Sequence, residues 1–311
     1  MKSNIILGSG LTALICKKIL GSDWQIIPIG PSRFYSNGVP ALGDDFIVHD
    51  KKIDEIIQEW DIRNTIPIFY KRPFSYGGEL IHNNMFLENH LHKMHHEFNE
   101  VVNEYYKTTF LVYPFSCLQL HQKLLRENTD EITKFLTKHK DAKSIKLIKD
   151  HKIILDNNTT LEYDNLISTI PYDALCSMLH IKYDNPKFLG IYYYFIKDDS
   201  LNLENANQVL ICDYEISFHK CTTIKKYHYL IECLEYDDDI YNTLSRILGN
   251  GFEILSAKYV KESHVLPGLI HDQYLNANNI ICIGSYAQCD PMIDIGSTIK
   301  RIHNLKTKKM I

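Results

Sequence analysis

The sequence predicts an α/β protein: a doubly wound domain, assembled from both ends and a middle piece of the chain, with an inserted α+β domain that contains an antiparallel sheet. Three observations predict it. Residues 4–29 read as strand, helix, strand, with glycines at the first turn. Residues 187–235 are rich in Tyr, Ile and Phe, as in Ile191-Tyr192-Tyr193-Tyr194-Phe195-Ile196, which is strand composition. Residues 279–305 supply one more buried strand, a loop and a helix.

Taken in order, Asn4-Ile5-Ile6-Leu7 is a short apolar strand, and Leu11, Leu14, Ile15 and Ile19 follow at helical spacing. Residues 24–29 form a second apolar strand that stops at Gly30-Pro31, which completes a βαβ unit. Residues 34–50 carry Gly38, Pro40 and Gly43 and read as loop; Ile53, Ile56, Ile57 and Trp60 then share one helical face. The spans 84–106 and 116–138 are expected as two longer helices with a strand at 110–113 between them. Three β segments follow, at 144–149, 152–156 and 160–169, with a turn at Asp156-Asn157-Asn158. Pro171 opens a short helix. After the Tyr-rich strands come a helix at 238–248 and a strand at 253–262. No internal repeat marks a boundary, so the domains are expected to interleave: 1–60, 140–175 and 265–311 in one, 61–139 and 176–264 in the other.

Composition narrows the function. The chain has 311 residues, 45% apolar and 23% charged, with a formal net charge of -4. That supports a sizeable core and gives no disordered or strongly basic character, so nucleic-acid binding is not expected. No apolar run is long enough to span a membrane. The N-terminal apolar run is broken by Gly8-Ser9-Gly10 and Lys17-Lys18 and reads as folded structure. Eight cysteines without a CxxC pair fit reduced thiols in a cytoplasmic protein.

The strongest local signal is Gly8-Ser9-Gly10-Leu11-Thr12-Ala13, between the first strand and the first helix. Gly8 permits the tight turn, Gly10 lets a pyrophosphate approach the backbone, and Ala13 lets helix and strand pack closely. The helix N-terminus then offers N–H groups and a positive dipole end to a dinucleotide. A carboxylate for the ribose is missing at the end of the second strand, where Gly30, Pro31, Ser32 and Arg33 stand. Ser32 offers the ribose a neutral hydrogen bond. Arg33 suits a phosphate, including the 2′-phosphate of NADP.

Three separated pieces together resemble the superfamily of flavin amine oxidases, protoporphyrinogen oxidases and UDP-galactopyranose mutases. They are the fingerprint, the segment KIILDNNTTLEYDNLISTIPYDAL at 152–175, and NIICIGSYAQCDPMIDIGSTIKRI at 279–302. They cover about a quarter of the chain. The resemblance implies a Rossmann-like FAD-binding domain and an inserted substrate domain. It implies that Gly8, Gly10 and Ala13 cradle the pyrophosphate, with Ser9, Leu11 and Thr12 in the same turn. It places Thr169 and Ile170, and more weakly the strand at Ile145, beside the adenosine half. Gly284 and Ser285 would meet the ribityl phosphate, and Ile293, Asp294 and Ile295 would direct a helix start at the flavin pyrimidine edge. The expected activity is hydride transfer from a small-molecule substrate, at an amine or ring C–H, to flavin N5. The alternatives are a non-redox flavoenzyme of the sugar-nucleotide mutase type, an NADP-dependent reductase and a non-catalytic flavin-binding protein. The substrate and the oligomeric state are not specified.

Candidate polar groups on the flavin side are Tyr286 and Cys289, in the loop after Gly284, and His219 and His264. Any of them can donate a proton or orient a substrate. No metal site is expected. His92 and His96 share a helical face without further ligands, and Asp237-Asp238-Asp239 reads as a solvated turn capping the next helix. The tyrosine run reads as alternating strand faces, one buried and one exposed, or as an aromatic wall for a flat substrate.

Overall fold

Parallel strands buried on both faces must be apolar almost throughout, and the first strand, with Ile5, Ile6 and Leu7 essentially inaccessible, meets that demand. The computed structural model describes residues 3–28, 47–60, 66–95, 106–113, 117–183, 188–199, 201, 203, 205–234, 239–248 and 251–308. Its strands in the first half of the chain are β1 (Ser3–Leu7), β2 (Trp24–Ile27), β3 (Ile47–Val48), β4 (Ile68–Lys71), β5 (Phe74–Tyr76), β6 (Glu79–Ile81) and β7 (Thr109–Tyr113). The rest are β8 (Ile145–Lys149), β9 (Lys152–Leu155), β10 (Thr160–Ser168), β11 (Phe188–Asp198), β12 (Gln208–Ile211), β13 (Phe218–Lys225), β14 (His228–Cys233), β15 (Phe252–Val265) and β16 (Ile280–Cys282). The chain forms two compact units: Met1–Pro67, Tyr113–Pro186 and Pro267–Ile311 make the first, and Ile68–Val112 with Lys187–Leu266 make the second.

The first unit is built on a parallel sheet in the order β2-β1-β10-β16. The N-terminal half of β10 continues instead into an antiparallel meander with β9 and β8. Leu14, Ile15 and Ile19 of the Leu11–Leu20 helix share one core with Leu120, Leu124 and Ile132 of the Cys117–Lys138 helix and with Ile299 and Ile302 of the Ile295–Thr307 helix. Lys17–Glu131 at 2.7 Å and Lys18–Glu127 at 2.8 Å join the first two of these helices at their rims. The expected span 61–139 for the inserted domain therefore does not coincide with a compact unit. Its last helix turns an apolar face to the N-terminal βαβ core, a choice that amphipathic periodicity alone does not specify. In the Lys51–Gln58 helix, Asp50 caps the N-terminus by accepting from the Lys52 N–H at 2.9 Å, and it also pairs with Lys300 at 2.7 Å.

The second unit is a seven-stranded sheet in the order β15-β11-β14-β13-β12-β5-β6. Its pairings are antiparallel except for β12 with β5, as the Tyr/Ile-rich composition led us to expect. Phe218, Ile231, Cys233, Leu244 and Phe252 fill the core on one face. Among the irregularities of the ladder, β13 and β14 slip register between Phe218 and Lys220, and β11 and β15 slip between Leu189 and Ile191. Tyr193 and Tyr194 point to opposite faces, and both are buried, so the run does not divide into one buried and one exposed face. Tyr192 stacks on Tyr259 with ring centroids 4.4 Å apart.

Two helix expectations change. Within the helix expected over 84–106, Asn84–Phe86 forms a 3-10 turn, Leu87–Lys93 an α-helix and His95 takes a left-handed conformation at φ 58°, while residues 96–105 lie outside the described residues. Residues 285–288, expected as loop, form a short helix. No described helix is long and apolar enough to cross a membrane.

Candidate functional site

The site in the first unit begins where β1 ends. Gly8 has φ +119°, a conformation that L side chains rarely adopt. A Cβ there would overlap Thr169 Oγ1. Thr169 is tied down from both of its polar groups: its N–H donates to Leu7 O at 3.0 Å and its hydroxyl to the same oxygen at 2.8 Å. Gly8 N–H donates to Ile27 O at 2.9 Å, which fixes the turn to β2 as well. Gly10 stands at the N-cap with no side chain to offer, and no acidic residue occupies the first helical turn. Leu11 and Ala13 are buried against the sheet. The helix end is thus shaped as an anion site: N–H donors, a positive dipole end and no competing carboxylate in that turn. It lies beside β1 at the carboxyl ends of the parallel strands, where neighbouring connections diverge. That is the switch point at which doubly wound sheets bind nucleotides.

A second turn converges on the first. Ile283 N–H donates to Ser168 O at 2.9 Å, extending β16 along β10, and Gly284 then turns with φ +98°. A Cβ on Gly284 would lie 3.1 Å from both Cγ2 and Oγ1 of Thr12. Two motifs far apart in the sequence therefore meet in tight contact, with Gly284 packed against Thr12. From below, His121 of the Cys117–Lys138 helix is buried and hydrogen-bonds the Ser9 backbone, while burial lowers its pKa. Sequence reading missed His121, because it approaches from a helix assigned elsewhere.

Other expected contacts are modified. Asp294 caps the Ile295–Thr307 helix, accepting from the Ser297 N–H at 2.6 Å. Its carboxylate already occupies part of that positive end, which offsets the preference for an anion that the resemblance implies there. Ile293 precedes this cap, and its N–H reaches Asp290 O at 3.4 Å. Ile145 is buried in β8, and Ile170 lies buried beside Gly8. Ser285 and Tyr286 belong to the short helix after Gly284. Cys289 ends that helix in a left-handed conformation and is buried, with burial pushing its thiol up to about 11. It is a neutral thiol at physiological pH and a poor nucleophile. Gly30, Ser32 and Arg33 lie outside the described residues, as do His96, Asp237 and Asp238. His92 is exposed and faces Glu88 at 3.7 Å, and Asp239, just before the Ile240–Leu248 helix, accepts from the Asn242 side-chain amide at 2.6 Å.

In the second unit, His219 and His264 do come together, with ring centroids 6.3 Å apart. They meet over a residue that sequence reading did not select. Glu232 is 98% inaccessible and places Oε2 3.5 Å from His219 Nε2 and 3.6 Å from His264 Nε2, while Oε1 accepts from Lys220 Nζ at 2.7 Å. Burial alone would raise the Glu232 pKa. Lys220 and the two imidazoles outweigh it and hold the carboxylate well below its usual range. Burial lowers His219 to about 4, so its ring is neutral at pH 7. His90, also buried, lies 6.3 Å from His219 and is kept neutral by the same desolvation.

No family model matches the chain, and no curated protein matches it. Solved structures do. The chain is similar to a reduced UDP-galactopyranose mutase, with TM-score 0.63 and 12% identity over 100% of this chain and 96% of that one. It is similar to a CLA-producing fatty acid isomerase from P. acnes, with TM-score 0.58 and 10% identity over 100% and 99%. The chain shares its fold with these enzymes. A third similar structure is the flavin-dependent monooxygenase PieE in complex with FAD and substrate, with TM-score 0.56 and 11% identity over 98% of this chain and 56% of that one. The resemblance read from three short segments thus holds for the fold of the whole chain.

Proposed function

We propose that the protein is an FAD-dependent enzyme acting on a small molecule, with the dinucleotide held by the first unit. One observation carries the reading: Gly8 and Gly284, both at positive φ, converge on Thr169 and Thr12 at the carboxyl ends of the parallel strands. Glycine turns at positive φ beside an uncapped helix end suit the backbone approach of a pyrophosphate. Thr169, Gly284 and Ser285 would flank the chain of the cofactor, and His121 supports the fingerprint loop through Ser9. Bound there, FAD supplies a two-electron acceptor at N5, and the reaction we favour is hydride transfer from an amine or ring C–H of the substrate. Tyr286, with its phenolic hydroxyl on the short helix after Gly284, is our candidate for proton handling.

A second reading is a non-redox flavoenzyme. The solved structures matched over nearly their whole length include a mutase and an isomerase as well as an oxidoreductase from Methanosarcina mazei, so both chemistries have neighbours of this size. The experiment that tests the cofactor claim is an absorbance spectrum of the purified protein with identification of the cofactor released on denaturation. Flavin bands and free FAD are expected. A colourless protein that FAD does not reconstitute would overturn the reading and leave an NADP-dependent reductase or a ligand-free protein. Anaerobic substrate screening then separates the two chemistries: net bleaching marks an oxidoreductase, and turnover that requires pre-reduced flavin and leaves it reduced marks the non-redox enzyme.

A further inference from the structure

We propose that His219, Glu232 and His264 form a binding site for one zinc-like dication, independent of the flavin reading. The three side chains offer two imidazole nitrogens and a carboxylate oxygen, a ligand set suited to zinc. The atoms lie within 4.8 Å of one another. Oε2 of Glu232 is 3.5 Å and 3.6 Å from the two Nε2 atoms. Ligands placed about 2.0–2.1 Å from a common tetrahedral centre stand about 3.3–3.4 Å apart, so the two carboxylate–imidazole edges need only a small contraction, while the two imidazole nitrogens, within 4.8 Å of each other, close on the ion by a side-chain adjustment. The same spacing is too long for good hydrogen bonds. Glu232 Oε2 and His264 Nε2 are in fact buried without a hydrogen-bond partner among the described residues. Buried polar atoms are rarely left so, and here two of them face one point.

The sheet is built to bring them there. His219 sits in the irregularity between Phe218 and Lys220, and His264 immediately follows the irregular stretch of β15 opposite Gly190. Bulges of this kind re-aim side chains, and both turn a histidine toward Glu232 on the strands between them. Lys220 occupies Oε1 at 2.7 Å and leaves Oε2 for the ion, the outer support that ligating carboxylates ordinarily have. Three protein ligands leave a fourth position, and the His264 side chain, 31% accessible, marks the side from which water or a substrate oxygen would enter.

The test is calorimetric titration of Zn2+ into the untagged, chelator-treated full-length protein. Saturable binding of one ion per chain is expected. His264→Ala, at the accessible edge of the group, is expected to weaken it by at least about tenfold, and His264→Gln, which keeps the bulk of the side chain, to do the same. His92→Ala, on an exposed helix face, is expected to change nothing. Absence of a stoichiometric binding event in the folded protein would overturn the proposal. So would unchanged affinity in both His264 variants, or equal loss in the His92 control.

Discussion

The two polar sites of this molecule are made of different material. In the first unit the candidate site is backbone: Gly8 and Gly284 turn at positive φ against Thr169 and Thr12, and Gly10 is an N-cap without a side chain. In the second unit the group around Glu232 is side chain, held in place by strand register and two ladder irregularities. A backbone site is damaged by adding an atom. A buried side-chain site is damaged by removing one.

That difference orders the expected effects of mutation. The largest belongs to Glu232→Ala. It removes the carboxylate that the half-buried Lys220 ammonium pairs with at 2.7 Å and leaves two imidazoles facing a void, so a loss of about 3–5 kcal/mol is expected, measured by urea denaturation. A loss below about 1 kcal/mol would show that the group relaxes to water and is not held rigidly by the sheet. Next is Lys93→Met. Lys93 is buried and donates to the carbonyls of Asp213, Ile216 and Phe218 at 2.7, 2.7 and 2.8 Å. Methionine keeps the stem and strips the acceptors, and about 2–4 kcal/mol is expected, since each buried acceptor left unpaired costs about 1–3 kcal/mol and water recovers some of it.

In the backbone site the sharper change is an addition. Gly8→Ala forces a Cβ onto Thr169 at φ +119°, a strain of about 1–3 kcal/mol, read as a lowered melting temperature. Cofactor retention is the more sensitive readout: the variant is expected to purify with little or no FAD. A stable Gly8→Ala protein that retains stoichiometric FAD would contradict the view that this turn touches the pyrophosphate.

The same contrast explains what could be read from the sequence. The fingerprint was legible because its chemistry is local: a glycine, a gap, a glycine, a small residue, all within one strand-to-helix turn. The segments at 152–175 and 279–302 were legible because each is a strand leading into its own turn. Glu232 was not, because nothing near it in sequence distinguishes a strand glutamate that is exposed from one that is 98% buried. Its partners lie at 219, 220 and 264, on strands whose register no local pattern fixes. His121 and Lys93 were missed for a related reason. Each belongs to a helix whose polar residue turns inward, against the binary pattern, to serve a backbone carbonyl. His219 and His264 were named singly as candidate polar groups, and the carboxylate that joins them was invisible.

The smallest effect tests whether side chains matter at all in the first unit away from its glycine turns. Asp50 caps the Lys51–Gln58 helix and pairs with Lys300 from the Ile295–Thr307 helix. The hydrogen bond from Lys300 lowers its pKa below the usual carboxylate value. A carboxylate with a lowered folded-state pKa stabilises the protein above its unfolded pKa, about 3.9, and that contribution disappears as pH falls through the folded value. Asp50→Ala is therefore expected to cost about 1 kcal/mol near neutral pH, the usual worth of an N-cap. The wild-type and variant melting curves should draw together on acidification. Because Asp50 and Lys300 are more than one-third accessible, the ion pair itself adds little, and Lys300→Ala should lose only a fraction of what Asp50→Ala loses. Equal losses from the two variants would shift the weight from the cap to the pair. They would also make this contact between helices, and not the backbone site, the more sensitive side-chain element of the first unit.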